Sequence, residues 1–146
     1  MFVGTYRHTL DAKGRLNIPK RFQEPLSDPS RGRLFFGTRG LEACVFLFVS
    51  DHWERVCEQV RAASLGSEDA RGFSRLFFSN ARELPMDASG RILVPPELRQ
   101  LAGVDRDAVL VGVDRRIELW SPQRWEAEEE RNEGSYEQQA KGIFPG

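Results

Sequence analysis

Two short stretches of this chain place an acid and an arginine four residues apart across a glycine. They are Asp11-Ala12-Lys13-Gly14-Arg15 and Asp87-Ala88-Ser89-Gly90-Arg91. Aspartate accepts backbone N–H bonds at the first position of a tight turn, and glycine supplies the last position or a positive φ. Both stretches therefore read as turns in which carboxylate and guanidinium can pair. One reading is structural: Asp11 and Asp87 cap the turns while Arg15 and Arg91 fold back to neutralise them. The other gives the pair a partner. A guanidinium held by an acid is pre-organised and still presents its remaining donors outward, to phosphate or to the O6/N7 edge of guanine. The two readings are compatible.

The surroundings of the two turns differ. Arg7 on the preceding segment and Lys13 in the turn make the first a basic cluster. The second has Arg82 and Arg91, but Ser89 stands where the first has lysine, and Glu83 is close. The expected contact residues are thus Arg7, Lys13 and Arg15, with Arg91 a weaker fourth. Asp11, Gly14, Asp87 and Gly90 shape and orient the turns. Lys13 is placed as a phosphate contact and Arg15 as the base reader.

Other chemistries find little support. His8 near Asp11 has no companion nucleophile, so no catalytic constellation is expected and the chain does not read as an enzyme. Cys44, Cys57 and His52 fit no compact metal spacing, and their apolar neighbours suggest buried thiols. No metal, cofactor or small-molecule substrate is expected. Gly37-Thr38-Arg39-Gly40 lacks the Gly-Lys-Ser/Thr of a phosphate loop. Trp53 and Trp125 read as helix anchors rather than base-stacking platforms, and the glutamates from Glu126 to Glu137 as a solvated helix face.

The elements that position the turns repeat with them. Leu10 to Pro19 aligns with Met86 to Pro95, five of ten positions being identical. Apolar runs at Leu34–Phe36 and Val45–Val49 recur at Val109–Val111 and Ile117–Trp120, and Trp53-Glu54 recurs as Trp125-Glu126. The turn motifs lie 76 residues apart and the tryptophans 72. A fixed offset of this kind marks an internal repeat. In each unit a strand (4–10, then 82–86) leads into the turn. A short alternating strand follows, ended by Pro19 or Pro95, which lack a donor and can open a helix. A hairpin comes next. Residues 96–103 fit a short helix ended by glycine. Asp51 with Glu54 resembles a capping box for a helix to Gly66, Ser67 can cap a second, and Ser121-Pro122 starts a third. From Gly134 the chain reads as a polar, poorly ordered tail.

The fold class expected is mainly β with short helices, α+β. The divisions are 1–50 for the first unit, 51–79 for linking helices, 80–124 for the second unit, and 125–146 for a C-terminal helix and tail. Units of this size bury little surface alone, which favours two that bury each other or interleave strands. Exposed edges and the aromatics Phe35, Phe36, Phe46, Phe48, Phe77 and Phe78 also suggest self-association.

At 146 residues, 40% apolar and 29% charged, the chain has the composition of one soluble globular domain. No apolar run reaches the length of a membrane span. The first residues show no basic patch followed by an apolar stretch, so a cytosolic location is expected. Net charge is -1, which argues against a uniformly basic nucleic-acid binder. The charge is uneven, however. Residues 1–40 carry eight basic side chains against three acidic, while 126–137 carry six glutamates against one arginine. Of 21 basic side chains only three are lysine, a bias that suits bidentate contacts.

The stretches 1–19 and 83–95, with the motif order and the repeated Trp-Glu, resemble bacterial MraZ proteins over nearly the whole chain. The resemblance implies a tandem AbrB-like fold, a swapped-hairpin β-barrel in which the units intertwine. It also implies ring-shaped homo-oligomers and a transcriptional regulator of the division and cell-wall gene cluster. Such regulators associate with the nucleoid and bind short direct repeats in double-stranded DNA near their own promoter, usually as repressors. The family's Asp-x-x-x-Arg falls on Asp11 and Arg15 and on Asp87 and Arg91; Ser89 departs from the pattern by losing a positive charge. A toxin-binding relative would need an extension, and residues 134–146 do not read as an anchored helix.

Overall fold

The computed structural model describes residues 1–26, 32–144 and 146. In chain order the strands are β1 (Phe2–Thr9), β2 (Arg15–Asn17), β3 (Leu34–Arg39), β4 (Val45–Phe48), β5 (Arg82–Pro85), β6 (Arg91–Leu93), β7 (Asp107–Asp114) and β8 (Arg116–Trp120). The helices are α1 (Lys20–Gln23), α2 (Ser50–Ala63), α3 (Glu68–Ser79), α4 (Pro96–Ala102), α5 (Pro122–Glu133) and α6 (Tyr136–Ala140). The fold is mixed α and β. The helices are not all short, as expected above: α2 has 14 residues and α3 and α5 have 12 each. They are long because the sheet presents two apolar faces, and the outer one needs cover.

Six strands form one antiparallel sheet in the order β1-β7-β8-β4-β3-β5; β2 and β6 pair separately as a two-stranded ribbon. Exchange every strand for its counterpart in the other repeat, and the order reads 5-3-4-8-7-1, the same list reversed. The molecule therefore has an internal pseudo-two-fold axis, passing between β4 and β8 and through the ribbon. The repeats interleave rather than sit side by side: β1 pairs with β7, β4 with β8, β3 with β5 and β2 with β6. The expected barrel does not close among the described residues. β1 and β5 remain sheet edges, and three-residue ribbon strands are too short to bridge them.

Strand alternation divides the apolar residues by face. Phe35, Val45, Leu47, Leu110, Ile117 and Leu119 point inward and pack with Leu16 and Ile92 of the ribbon, Phe22 of α1 and Leu98 of α4. On the outer face Phe36, Phe46 and Phe48 receive Trp53, Cys57 and Phe77 from α2 and α3. The other half of that face, Val109, Val111 and Trp120, receives Trp125 of α5. Of the aromatics taken as signs of self-association, Phe35, Phe48 and Phe77 are buried in the chain's own core, and only Phe78 is clearly exposed.

Helix starts follow local chemistry in two cases of three. Ser67 Oγ accepts the Ala70 N–H at 3.0 Å, and Ser121 Oγ accepts the Arg124 N–H at 3.2 Å. The expected cap by Asp51 is corrected: α2 starts at Ser50, Val49 holds the cap position, and no side chain caps it. The buried strand β4 ends at Phe48 and leaves no spare residue for a cap before Trp53 must face the sheet. The tail is also corrected, since Tyr136–Ala140 is helical. Gln139 Nε2 donates to Asn132 Oδ1 at 3.0 Å and Ser135 Oγ at 3.1 Å, tying α6 to the end of α5.

Candidate nucleic-acid interface

The two turns are built alike, bond for bond. Asp11 Oδ1 accepts the N–H groups of Lys13 and Arg15, each at 2.9 Å, and Oδ2 accepts Arg15 Nε–H at 2.6 Å. Asp87 Oδ1 accepts Ser89 N–H at 2.9 Å and Arg91 N–H at 3.0 Å, and Oδ2 accepts Arg91 Nε–H at 3.0 Å. The Gly14 and Gly90 N–H groups close the turns onto the Asp11 and Asp87 carbonyls at 2.9 and 3.0 Å. Both glycines have positive φ, +85° and +79°. That conformation is strained for any side chain. Each turn is also clasped by the other repeat: Val94 N–H donates to Gly14 O, and Ile18 N–H to Gly90 O.

The ribbon turns these local motifs into one surface. Arg15 pairs with Leu93, Leu16 with Ile92 and Asn17 with Arg91. Leu16 and Ile92 are fully buried. Alternation then puts Arg15, Asn17, Arg91 and Leu93 on the outward side, and Leu93 is indeed exposed. Arg15 and Arg91 are diagonal neighbours, roughly 7–8 Å apart by ribbon geometry. Burial of Leu16 and Ile92, each worth roughly 1.5–3 kcal/mol, holds so short a ribbon in place.

A double-repeat match accompanies this doubled geometry. The family model described as "MraZ protein, putative antitoxin-like" matches twice, over residues 1–76 and 77–144. The chain belongs to the MraZ family. Its relatives include a transcriptional regulator MraZ of Syntrophomonas wolfei, 41% identical over 98% of this chain and 96% of that protein. Another is the transcriptional regulator MraZ of Desulfitobacterium hafniense, 43% identical over 98% and 96%. That of Carboxydothermus hydrogenoformans is 45% identical over 86% and 84%.

In this MraZ chain the paired acids are held ionised. The Arg15 backbone N–H is the largest influence holding the Asp11 carboxyl at about 2, well below its ordinary 3.8, with the Arg15 side chain and Lys13 N–H adding to it. Asp87 is lowered in the same way, first by the Arg91 N–H. Each arginine gives its Nε to the acid and makes no other side-chain bond among the described residues. The Nη donors of both are left over for a partner. Lys13 is exposed, as is Ser89 opposite.

Arg7 is placed elsewhere. It points from β1 toward α5, where its Nη lies 3.8 Å from Glu126 Oε1, and among the described residues no hydrogen bond or ion pair joins it to the first turn. The other candidates are structural. Trp53 stacks on Phe36 and Phe77, and Trp125 packs on Trp120. Cys44 is buried and its thiol is pushed up to about 12, by burial first and then by Glu118 and Glu42. Cys57 is raised by burial. His52 is lowered by burial, then by Arg115, Arg55 and Arg116. Among the described residues no three His, Cys, Asp or Glu side chains group as metal ligands.

Sequence reasoning missed what lies behind the turns. Gln23 of α1 sits against Gly90, and Arg99 of α4 sits against Gly14. The signal was available: Phe22-Gln23 and Leu98-Arg99 share the 76-residue offset of the motifs.

Proposed function

We propose that this protein is a sequence-specific DNA-binding transcriptional regulator. The observation carrying the reading is that Arg15 and Arg91, each fixed through Nε by an aspartate, share one outward ribbon face with their Nη donors unspent. The major groove of B-DNA admits a two-stranded β-ribbon, and an arginine meets guanine O6 and N7 with two donors. Arg15 reads a base edge, Lys13 contacts phosphate, and Arg91 adds a second contact. Arg7, engaged with Glu126, contributes at the margin.

The family gives the finer reading: a repressor of its own division and cell-wall gene cluster, in the cytoplasm and associated with the nucleoid. Segment 1–50 is the first, DNA-binding unit and 80–124 the second AbrB-like unit, with 51–79 linking them, and their interleaving is the one-chain form of the AbrB-like strand swap. One ribbon offers few contacts, so useful affinity requires several ribbons on promoter-proximal direct repeats, as in a ring of identical protomers. The exposed apolar side chains Phe73, Leu76 and Phe78 of α3 support such self-association.

Fluorescence anisotropy with DNA from upstream of the protein's own gene, against a scrambled duplex, tests the reading. Salt-dependent preference for the upstream DNA is expected. Arg15→Ala should lose about 1–3 kcal/mol of discrimination at the read base. Lys13→Ala should weaken binding to every sequence and lower the salt slope by about 0.9. Equal weak binding to both duplexes by the wild type would reduce the Asp–Arg pairs to turn locks.

A further inference from the structure

The two turns match bond for bond, but what backs them does not. A Cβ on Gly14 would lie 3.4 Å from Arg99 Cζ and 3.5 Å from Arg99 Nε. The guanidinium therefore rests directly on the first turn, delivered from the second repeat by α4. At the matching place, Gln23 Nε2 would lie 2.5 Å from a Cβ on Gly90, and it is committed to the Ile18 carbonyl at 2.7 Å. Arg99 has no such commitment. Its Nε is buried without a hydrogen-bond partner, and the side chain makes no ion pair among the described residues. The residue as a whole is only half-buried, so part of the side chain meets solvent. A guanidinium is always charged, and one left with a buried unpaired donor is a costly arrangement unless something completes it.

From this we infer that Arg99 completes an anion site at the first turn, made with Lys13 beside the base-reading Arg15 and suited to a phosphate group. Lys13 and Arg15 flank Gly14 in the chain, and Arg99 lies on Gly14 itself. Asp11 is matched by Arg15, which leaves Lys13 and Arg99 without an acid in the turn itself; Glu97 lies at the start of the helix that carries Arg99. The second turn has Asp87 matched by Arg91, with Ser89 and Gln23 in the corresponding places, so no cation rests on its glycine; the bases of α1, Lys20 and Arg21, are exposed at the start of that helix. The pseudo-two-fold molecule thus grips a phosphate backbone on one side only. The site deepens the DNA-binding reading and rests on it for its biological ligand. Its chemistry, a multiply charged oxyanion, can be tested apart from DNA.

Two readouts on the full-length protein separate the possibilities. In the first, inorganic pyrophosphate is titrated while the Gly14 and Gly90 amide resonances are followed. Gly14 should shift saturably and Gly90 should not; Arg99→Gln, which copies the second turn, should abolish the Gly14 shift. Equal shifts at both glycines, or none, would overturn the site whatever happens with DNA. In the second, the salt dependence of DNA binding is compared. Arg99→Gln should lower the slope by about 0.9 per engaged protomer, so that the affinity lost between 50 and 200 mM salt shrinks by roughly 3.5-fold. Gln23→Arg should raise the slope. An unchanged slope in a folded Arg99→Gln protein that still loses binding on Arg15→Ala would sink the inference and leave the DNA reading intact. A pyrophosphate response at Gly14 alone, without any DNA binding, would keep the site and remove that reading.

Discussion

At the scale of single residues, the orientation of Arg15 depends on one carboxylate that accepts three donors at once. Its folded pKa of about 2 lies below the ordinary 3.8, so the folded chain binds fewer protons at this group than the unfolded chain. The contribution is complete above about pH 4 and is lost as pH falls toward 2. Carboxyl NMR should find Asp11 titrating near 2, and Asp87 also below the ordinary range. Titration of both near 4 would mean that the Asp–Arg geometry does not persist in solution. Asp11→Asn keeps an acceptor but removes the charge; it should reduce discrimination between DNA sequences more than total affinity. This pair was legible from sequence because all its bonds lie within five residues. Arg99 against Gly14 was not, because that contact crosses from one repeat to the other.

Among the elements, the turns and the aromatic clusters are the parts most exposed to single changes. Gly90→Ala places a Cβ at φ +79° and 2.5 Å from Gln23 Nε2. Strain of this kind costs about 1–3 kcal/mol, and denaturant unfolding should show it. Trp53→Ala empties the centre of a cluster shared with Phe36, Phe48 and Phe77. The expected loss is about 3–5 kcal/mol in the same measurement. A smaller loss is expected for Trp125→Ala, since Trp125 is only partly buried. Strands, turns and the serine caps were readable because each has a local signature. The short α6 was not. Its support is a side-chain network through Asn132, Ser135 and Gln139, which leaves no apolar periodicity. Asp51 failed as a cap for a similar reason: the demand that Trp53 face the sheet decided where α2 begins.

For the whole molecule, the repeat was visible in the sequence and the interleaving was only one of two options. Pattern alone cannot choose between units packed side by side and units that exchange strands, because both bury the same faces. The observed pairing makes a strong claim about separability. Residues 1–76 contain β1 to β4, yet only β3 and β4 pair with each other. Residues 77–146 likewise keep only the β7–β8 pair and the single bridge Met86–Ile92 among the described residues. A lone hairpin is marginal in water. Neither half should fold as a monomer, and mixing the two should restore the circular dichroism and cooperative unfolding of the intact chain. A half that unfolds cooperatively as a monomer would contradict the interleaved sheet.

The pairing of β1 with β7 also has a consequence in time. Phe2 meets Asp114 and Thr9 meets Asp107, so β1, once it has left the ribosome, waits for a strand made about a hundred residues later. At about 5–20 residues per second that wait is on the order of 5–20 s. Until then Phe2, Leu10 and Leu16, all buried in the finished protein, lack the strands of the second repeat that cover them. Long-range pairing is slow to form as well as late to become possible. The newborn chain therefore passes through an interval in which its sticky leading strand is available to chaperones, or to the leading strand of a neighbouring nascent chain on the same message.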